Sequence, residues 1–157
     1  MMKDIVVGLG QIGKPILQLI SKSTTVVVGY DSNPKVFDQT KFDKFEKLPI
    51  RFLHVCIPYT NHFISEVQFL YKKFKPMSVV LHSTVSPYTT KNLQSKLPVP
   101  VIYSATRGVH KRMLHDLKRY TKFFSIEPGT INSEWASKEF SRLMRNLGVK
   151  KIGRAHV

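Results

Sequence analysis

Three glycines and one acid near the N-terminus carry the clearest chemical signal in this 157-residue chain. Gly8, Gly10 and Gly13 lie in the stretch VVGLGQIGKP, and Asp31 closes the stretch TVVVGYD. The pattern is G-x-G-x-x-G with an acid about twenty residues further on. Such a spacing suits the grip of a diphosphate and of the sugar beside it. Gly8 permits a tight turn, Gly10 lets backbone approach a pyrophosphate, and Gly13 lets a helix pack close against a strand. The N–H groups of Gln11 and Ile12 then face the phosphates, aided by the helix dipole. Asp31 is placed to accept from the ribose hydroxyls and to repel a 2′-phosphate, so NAD is expected ahead of NADP. Lys35 lies close enough to keep NADP open.

A second stretch with chemical content is SATRGVH, residues 104–110. Arg107 can fork onto a carboxylate or phosphate of a substrate. His110 can accept a proton from a substrate hydroxyl. The alternative is a plain glycine turn at Gly108 with a histidine at a helix start. His82 reads as a packed, hydrogen-bonded side chain with the nicotinamide edge as the alternative, and His54 reads as core. His110 and His115 are off the i, i+4 spacing of helical metal pairs, so no metal site is expected. Trp135 reads as core or interface.

These residues need elements to hold them. Residues 3–8 and 25–31 read as strands, and Ile16, Leu17 and Ile20 recur at helical spacing between them, with Pro15 tolerated in the first turn. Residues 32–48 are polar with Phe37, Phe42 and Phe45 as anchors. A strand over 51–57 stops at Pro58. Asn61 is a candidate cap for a helix burying Phe63, Ile64, Val67, Leu70, Tyr71 and Phe74, which ends at Pro76. Further strands are expected over 77–81, 99–104, 122–126 and from 149, with helices ending near Leu97, over 110–120, and from about 132 to a stop at Gly148. Several strands are apolar throughout and alternate with helices. That predicts an α/β fold, a Rossmann-type doubly wound, mainly parallel sheet with helices on both faces.

Composition agrees with one globular domain: 42% of residues are hydrophobic and 11% aromatic. No apolar run approaches the roughly 20 residues of a bilayer span, so no membrane association is expected. The N-terminus does not read as a secretory signal, and the lone Cys56 fits a reducing compartment, the cytoplasm. Lys and Arg outnumber Asp and Glu by 25 to 10, giving a net charge of +15. This favours anionic partners, small phosphate-bearing molecules first and nucleic acid second, although the positive residues are scattered. The final residues IGRAHV match one reading frame of a common sequencing-library adapter. Residues 1–151 are therefore expected to form an NAD(P)-binding domain cut short at its C-terminus, and 152–157 a non-native tail.

VGLGQIGKP, GYD, VCIP and HSTVSPYTT, in this order, resemble the N-terminal domain of the UDP-glucose/GDP-mannose dehydrogenases, within the wider 6-phosphogluconate dehydrogenase-like group. The STV-x-P-x-TT stretch is the most specific of the four, and the likeness covers residues 3 to about 104. Tyr88 stands where that family usually carries a glycine. The resemblance implies that Thr84 lies beside the cofactor on its nicotinamide side, with Ser83 next to it, and that Pro58 lines the cofactor cleft. It also implies oxidation of a sugar alcohol with hydride passing to NAD. The Cys and Lys that the family uses belong to later domains, and Cys56 does not match that Cys. Two functions follow as expectations. One is the cofactor domain of a dehydrogenase acting on a hydroxyl-bearing, anionic substrate, with a second domain or a second copy closing the cleft. The other is a non-catalytic module that binds a dinucleotide or nucleic acid.

Overall fold

The computed structural model of the chain describes residues 1–106, 112, 115, 122–149 and 152–155. Arg107 and His110 lie outside the described residues, as does most of the helix expected over 110–120.

The elements run β1 (Lys3–Val7), α1 (Gly13–Ser21), β2 (Val26–Tyr30), a 3-10 turn (Pro34–Val36), α2 (Gln39–Lys44), β3 (Ile50–Val55), α3 (Phe63–Phe74) and β4 (Ser78–Leu81). They continue with α4 (Thr89–Lys96), β5 (Val101–Tyr103), β6 (Lys122–Ile126), α5 (Ser133–Asn146) and β7 (Ile152–Arg154). One seven-stranded sheet has the order β2-β1-β3-β4-β5-β6-β7. β1 to β5 are all parallel, β6 runs antiparallel to β5, and β7 is parallel to β6. The order reverses between β1 and β3, the point where doubly wound sheets open a crevice at their carboxyl ends.

The period-two alternation of each strand sorts its side chains between two cores. Val6, Phe52, Val80 and Ile102 face α1 and α5, where they meet Ile16, Ile20, Ala136, Phe140 and Leu143. Ile5, Val7, Leu53, Val55, Val79 and Leu81 face α3 and α4, where they meet Phe63, Val67 and Leu93. Burial on both sides explains why stretches such as Ile5–Val7 and Val79–Leu81 are apolar at every position rather than at alternate ones.

Local stops agree with the residues that set them. Gly148 adopts φ +85°. Its N–H donates to the Arg145 carbonyl and that of Val149 to the Met144 carbonyl, closing α5 in a Schellman turn. Two expectations shift. Asn61 does not cap α3, because the Thr60 hydroxyl accepts from the His62 N–H and builds the turn, leaving His62 as the capping position. The last described strand is Ile152–Arg154, and Val149 is not part of a strand because its N–H is spent on the α5 stop.

Tyr88 enters α4 at φ +68°, in the left-handed region that favours glycine, and its side chain is 80% exposed. Replacing it with glycine removes the backbone penalty and little packing. Tyr88→Gly is therefore expected to raise stability by about 0.5–1 kcal/mol, read as a higher urea midpoint with an unchanged slope.

Candidate functional site

The carboxyl ends of β1 to β4 meet at one edge of the sheet, and most of the described site candidates stand there. Gly8 follows β1 with φ +88°, and a Cβ on it would lie 3.0 Å from the Cys56 carbonyl group. Gly13 opens α1 so close to the turn that a Cβ would lie 1.7 Å from the Gly8 carbonyl oxygen. Gly10 differs: nothing stands within 4 Å of the place a Cβ would take. Two of the glycines are thus required by the fold itself, whereas the third leaves an open side.

Among the described residues, no acceptor takes the backbone N–H groups of Gly10, Gln11, Ile12 or Gly13. The first turn of α1 holds no acidic residue. The unneutralised positive end of the helix dipole therefore faces outward with free donors. Asp31, just past β2, reaches back to this turn. Its Oδ2 accepts from the Leu9 N–H at 2.9 Å and its Oδ1 from the Asn33 N–H at 2.9 Å. Both bonds use backbone donors, so the carboxylate is fixed beside Gly10 with acceptor capacity to spare.

The other lip of the crevice is built after β3 and β4. Pro58 and Thr84 are exposed, whereas Ser83 is buried and donates its hydroxyl hydrogen to the Ile57 carbonyl. Ser83 thereby ties the two loops together. The Tyr59 hydroxyl, in contact with Ser86 Oγ and with Thr89 Oγ1 at 2.9 Å, adds a second tie. Cys56 is buried beneath the glycine turn, and burial pushes its thiol far up, which removes it as a nucleophile at neutral pH. Trp135 is partly buried against the α1-side core, with its ring 6.2 Å from Phe52.

A buried polar chain lies beneath the crevice. Arg51 donates to both carboxylate oxygens of Asp4 at 3.0 Å, and its third nitrogen reaches Glu139 at 3.3 Å. His54 Nε2 stands 2.9 Å from Asp4 Oδ2, and His54 Nδ1 stands 2.9 Å from His82 Nε2. His82 Nδ1 is 3.4 Å from the Thr106 hydroxyl. His54 and His82 are therefore packed, hydrogen-bonded core residues, and neither opens onto the crevice. Neither the pairing of these two rings nor the place of Asp4 beneath them was read from the sequence. A signal was present: Asp4, His54 and His82 share residue parity with Val6, Phe52 and Val80, which places all three on one sheet face once the register is known. Among the described residues, no group of three or more His, Cys, Asp or Glu side chains could hold a metal ion. No described helix is long and apolar enough to cross a membrane.

No protein-family model matches the chain, and no curated protein sequence matches it. Solved structures do. The chain is similar to UDP-D-ManNAc dehydrogenase from Pyrococcus horikoshii, with 18% identity and a TM-score of 0.75 over 99% of this chain and 47% of that one. It is similar to GDP-mannose dehydrogenase from Pseudomonas aeruginosa, with 13% identity and a TM-score of 0.69 over 99% and 47% of the two chains. A third is an NAD+-dependent dismutase, 5-formyl-3-hydroxy-2-methylpyridine 4-carboxylic acid 5-dehydrogenase, with 13% identity and a TM-score of 0.70 over 99% and 58%. The chain spans about half the length of these structures. At such identities the likeness is one of fold: the chain has the Rossmann-type α/β fold that makes up about half of each of these dehydrogenases.

Proposed function

We propose that the chain is the dinucleotide-binding part of a dehydrogenase that holds NAD at the carboxyl edge of its sheet. Hydride would pass between the nicotinamide and a hydroxyl-bearing, anionic substrate, a nucleotide sugar being the first class to try. The observation that carries this reading is the row of outward amides from Gly10 to Gly13, set at an unneutralised helix N-terminus with open space at Gly10. The fixed carboxylate of Asp31 supports a ribose hydroxyl pair beside it and disfavours a 2′-phosphate. Thr84 takes the nicotinamide side of the crevice and Pro58 lines the cofactor cleft, with Ser83 holding their two loops together. When bound, the nicotinamide supplies the hydride chemistry, and the chain supplies grip and orientation. The net charge of +15 favours the approach of an anionic substrate to the chain. Residues 1–151 supply this binding unit in the cytoplasm, and residues 152–157 add nothing to binding although Ile152–Arg154 pair with β6 at the far edge of the sheet.

Calorimetric titration of the whole chain with NAD and NADP tests the reading. The expected result is tighter binding of NAD than of NADP. Asp31→Ala should weaken NAD by about 10–100-fold, the worth of a charge-assisted hydrogen bond, and narrow the difference between the two. Asp31→Asn retains a side-chain acceptor for the Asn33 N–H and serves as the control for local folding. Absence of measurable binding of either dinucleotide to the unmodified chain overturns the reading, and equal NAD binding by all three proteins overturns the role of Asp31.

A further inference from the structure

The chain from Asp4 to Thr106 crosses the sheet diagonally. It starts near the amino end of β1, passes through β3 one residue before its carboxyl end, and ends beyond β4 and β5 at the edge that carries Gly8, Ser83 and Thr84. Asp4 and His54 are each 0% exposed and His82 is 1% exposed, so the path is dry until Thr106. Its hydrogen bonds have a direction. Asp4 is a carboxylate held by Arg51 and can only accept, so His54 donates from Nε2. With His54 neutral, its Nδ1 accepts from His82 Nε2, and His82 Nδ1 is left to accept from the Thr106 hydroxyl. The Thr106 N–H also donates to the His82 carbonyl at 3.0 Å, which holds the two residues together.

We propose that Asp4, His54 and His82 form an internal proton relay whose mouth is Thr106 and whose storage place is His54. A proton arriving at His82 Nδ1 forms the new N–H bond there. The Nε2–H bond of His82 breaks as its proton passes to His54 Nδ1. His82 ends neutral with its tautomer reversed, and His54 ends as an imidazolium donating to Asp4 and to His82 Nε2. One proton enters, one is stored, and no electrons move.

The surrounding charges decide where the proton rests. Asp4, Arg51 and Glu139 together carry one net negative charge, which an imidazolium at His54 cancels. Arg142 also pairs with Glu139, but its side chain is 65% exposed and screened by water. On the other side, Lys122 of β6 donates to the Ser104 and Ala105 carbonyls, and its charge acts against a second positive centre at His82. Burial first, then the charges of His54 and Lys122, holds His82 well below the ordinary imidazole range. Cys56, whose thiol burial keeps protonated, adds no charge. Removing hydride from a hydroxyl-bearing carbon releases one proton, and the relay gives it a route away from the nicotinamide side. That use rests on the dehydrogenase reading, whereas the relay itself does not.

Long-range proton–nitrogen NMR of the full chain, with histidine rings labelled and assigned through the backbone, tests the relay in the absence of any dinucleotide. At high pH both rings should show the Nε2–H tautomer. On acidification His54 should gain its second ring proton and His82 should switch to the Nδ1–H tautomer, both in one step with a shared midpoint. Two rings that merely pack in contact, with no shared Nδ1···Nε2 hydrogen bond to pass a proton, would not couple a tautomer reversal in one to protonation of the other. Separate midpoints, a doubly protonated His82, or two unchanged rings down to acid unfolding each overturn the proposal. Because no dinucleotide is present, such a failure leaves the dinucleotide reading standing, and failure of NAD binding leaves the relay standing.

Discussion

Gly13→Ala is expected to cost about 3 kcal/mol, at the upper end of penalties for forcing an atom into a filled space. The added methyl would lie 1.7 Å from the Gly8 carbonyl oxygen, and backbone on both sides has to move. Gly10→Ala is the matching contrast. Its methyl would meet nothing within 4 Å, so stability should change by less than about 0.5 kcal/mol. In the dinucleotide complex proposed above, the same methyl would occupy the space through which the diphosphate reaches the amides, so NAD affinity should fall steeply. Urea unfolding and calorimetry on the two variants separate these effects: one loses stability, the other only affinity for the ligand. Equal stability of Gly13→Ala and the unmodified chain would show that the helix does not press on the turn as described.

Asp4→Ala is expected to cost about 3–5 kcal/mol, because it leaves the Arg51 guanidinium largely buried with only Glu139 and removes the acceptor of His54. A typical domain has about 5–15 kcal/mol in total, so thermal unfolding should shift by many degrees. Adding Arg51→Met to the same chain should recover part of the loss, since the unpaired charge goes with it. The pH dependence has a definite sign. Burial alone would raise the Asp4 carboxyl, but hydrogen bonds and charge from His54 and Arg51 outweigh it and hold the group below its ordinary value. The carboxylate's contribution is therefore complete above the unfolded value of about 3.9 and is lost as pH falls through the lower folded value. Asp4→Ala should lack this acid-side decline in stability, which denaturation at a series of pH values below neutrality would measure.

How far the sequence reached depended on the range of each interaction. The glycine turn, the apolar strands and the Gly148 stop are set within a few residues, so their local signals agree with the folded result. The position of Asp31 was also legible, because strand length alone brings the end of β2 beside the end of β1. Its bond to the Leu9 N–H was not, since that depends on the exact path of the turn. The reversal of β6 against β5 carries no local mark, because a strand's residues look alike in either direction. The His54–His82 pair joins positions 28 apart in the chain, and the bond of His54 to Asp4 joins positions 50 apart. Such pairings exist only after the strands have chosen their neighbours. Tyr88 shows the opposite case: its departure from glycine was visible at once, and the left-handed backbone gives that departure a physical cost.

The contact between Arg51 and Glu139 spans 88 positions, and α5 supplies Ala136, Phe140 and Leu143 to the face that Val6, Phe52 and Val80 present. During synthesis, then, the first strands emerge long before the helix that shelters one side of them. Until α5 has left the ribosome, a broad greasy surface stays wet and a guanidinium waits for its second carboxylate. Closure of that face therefore waits on residues 133–146, however early the strands themselves have paired.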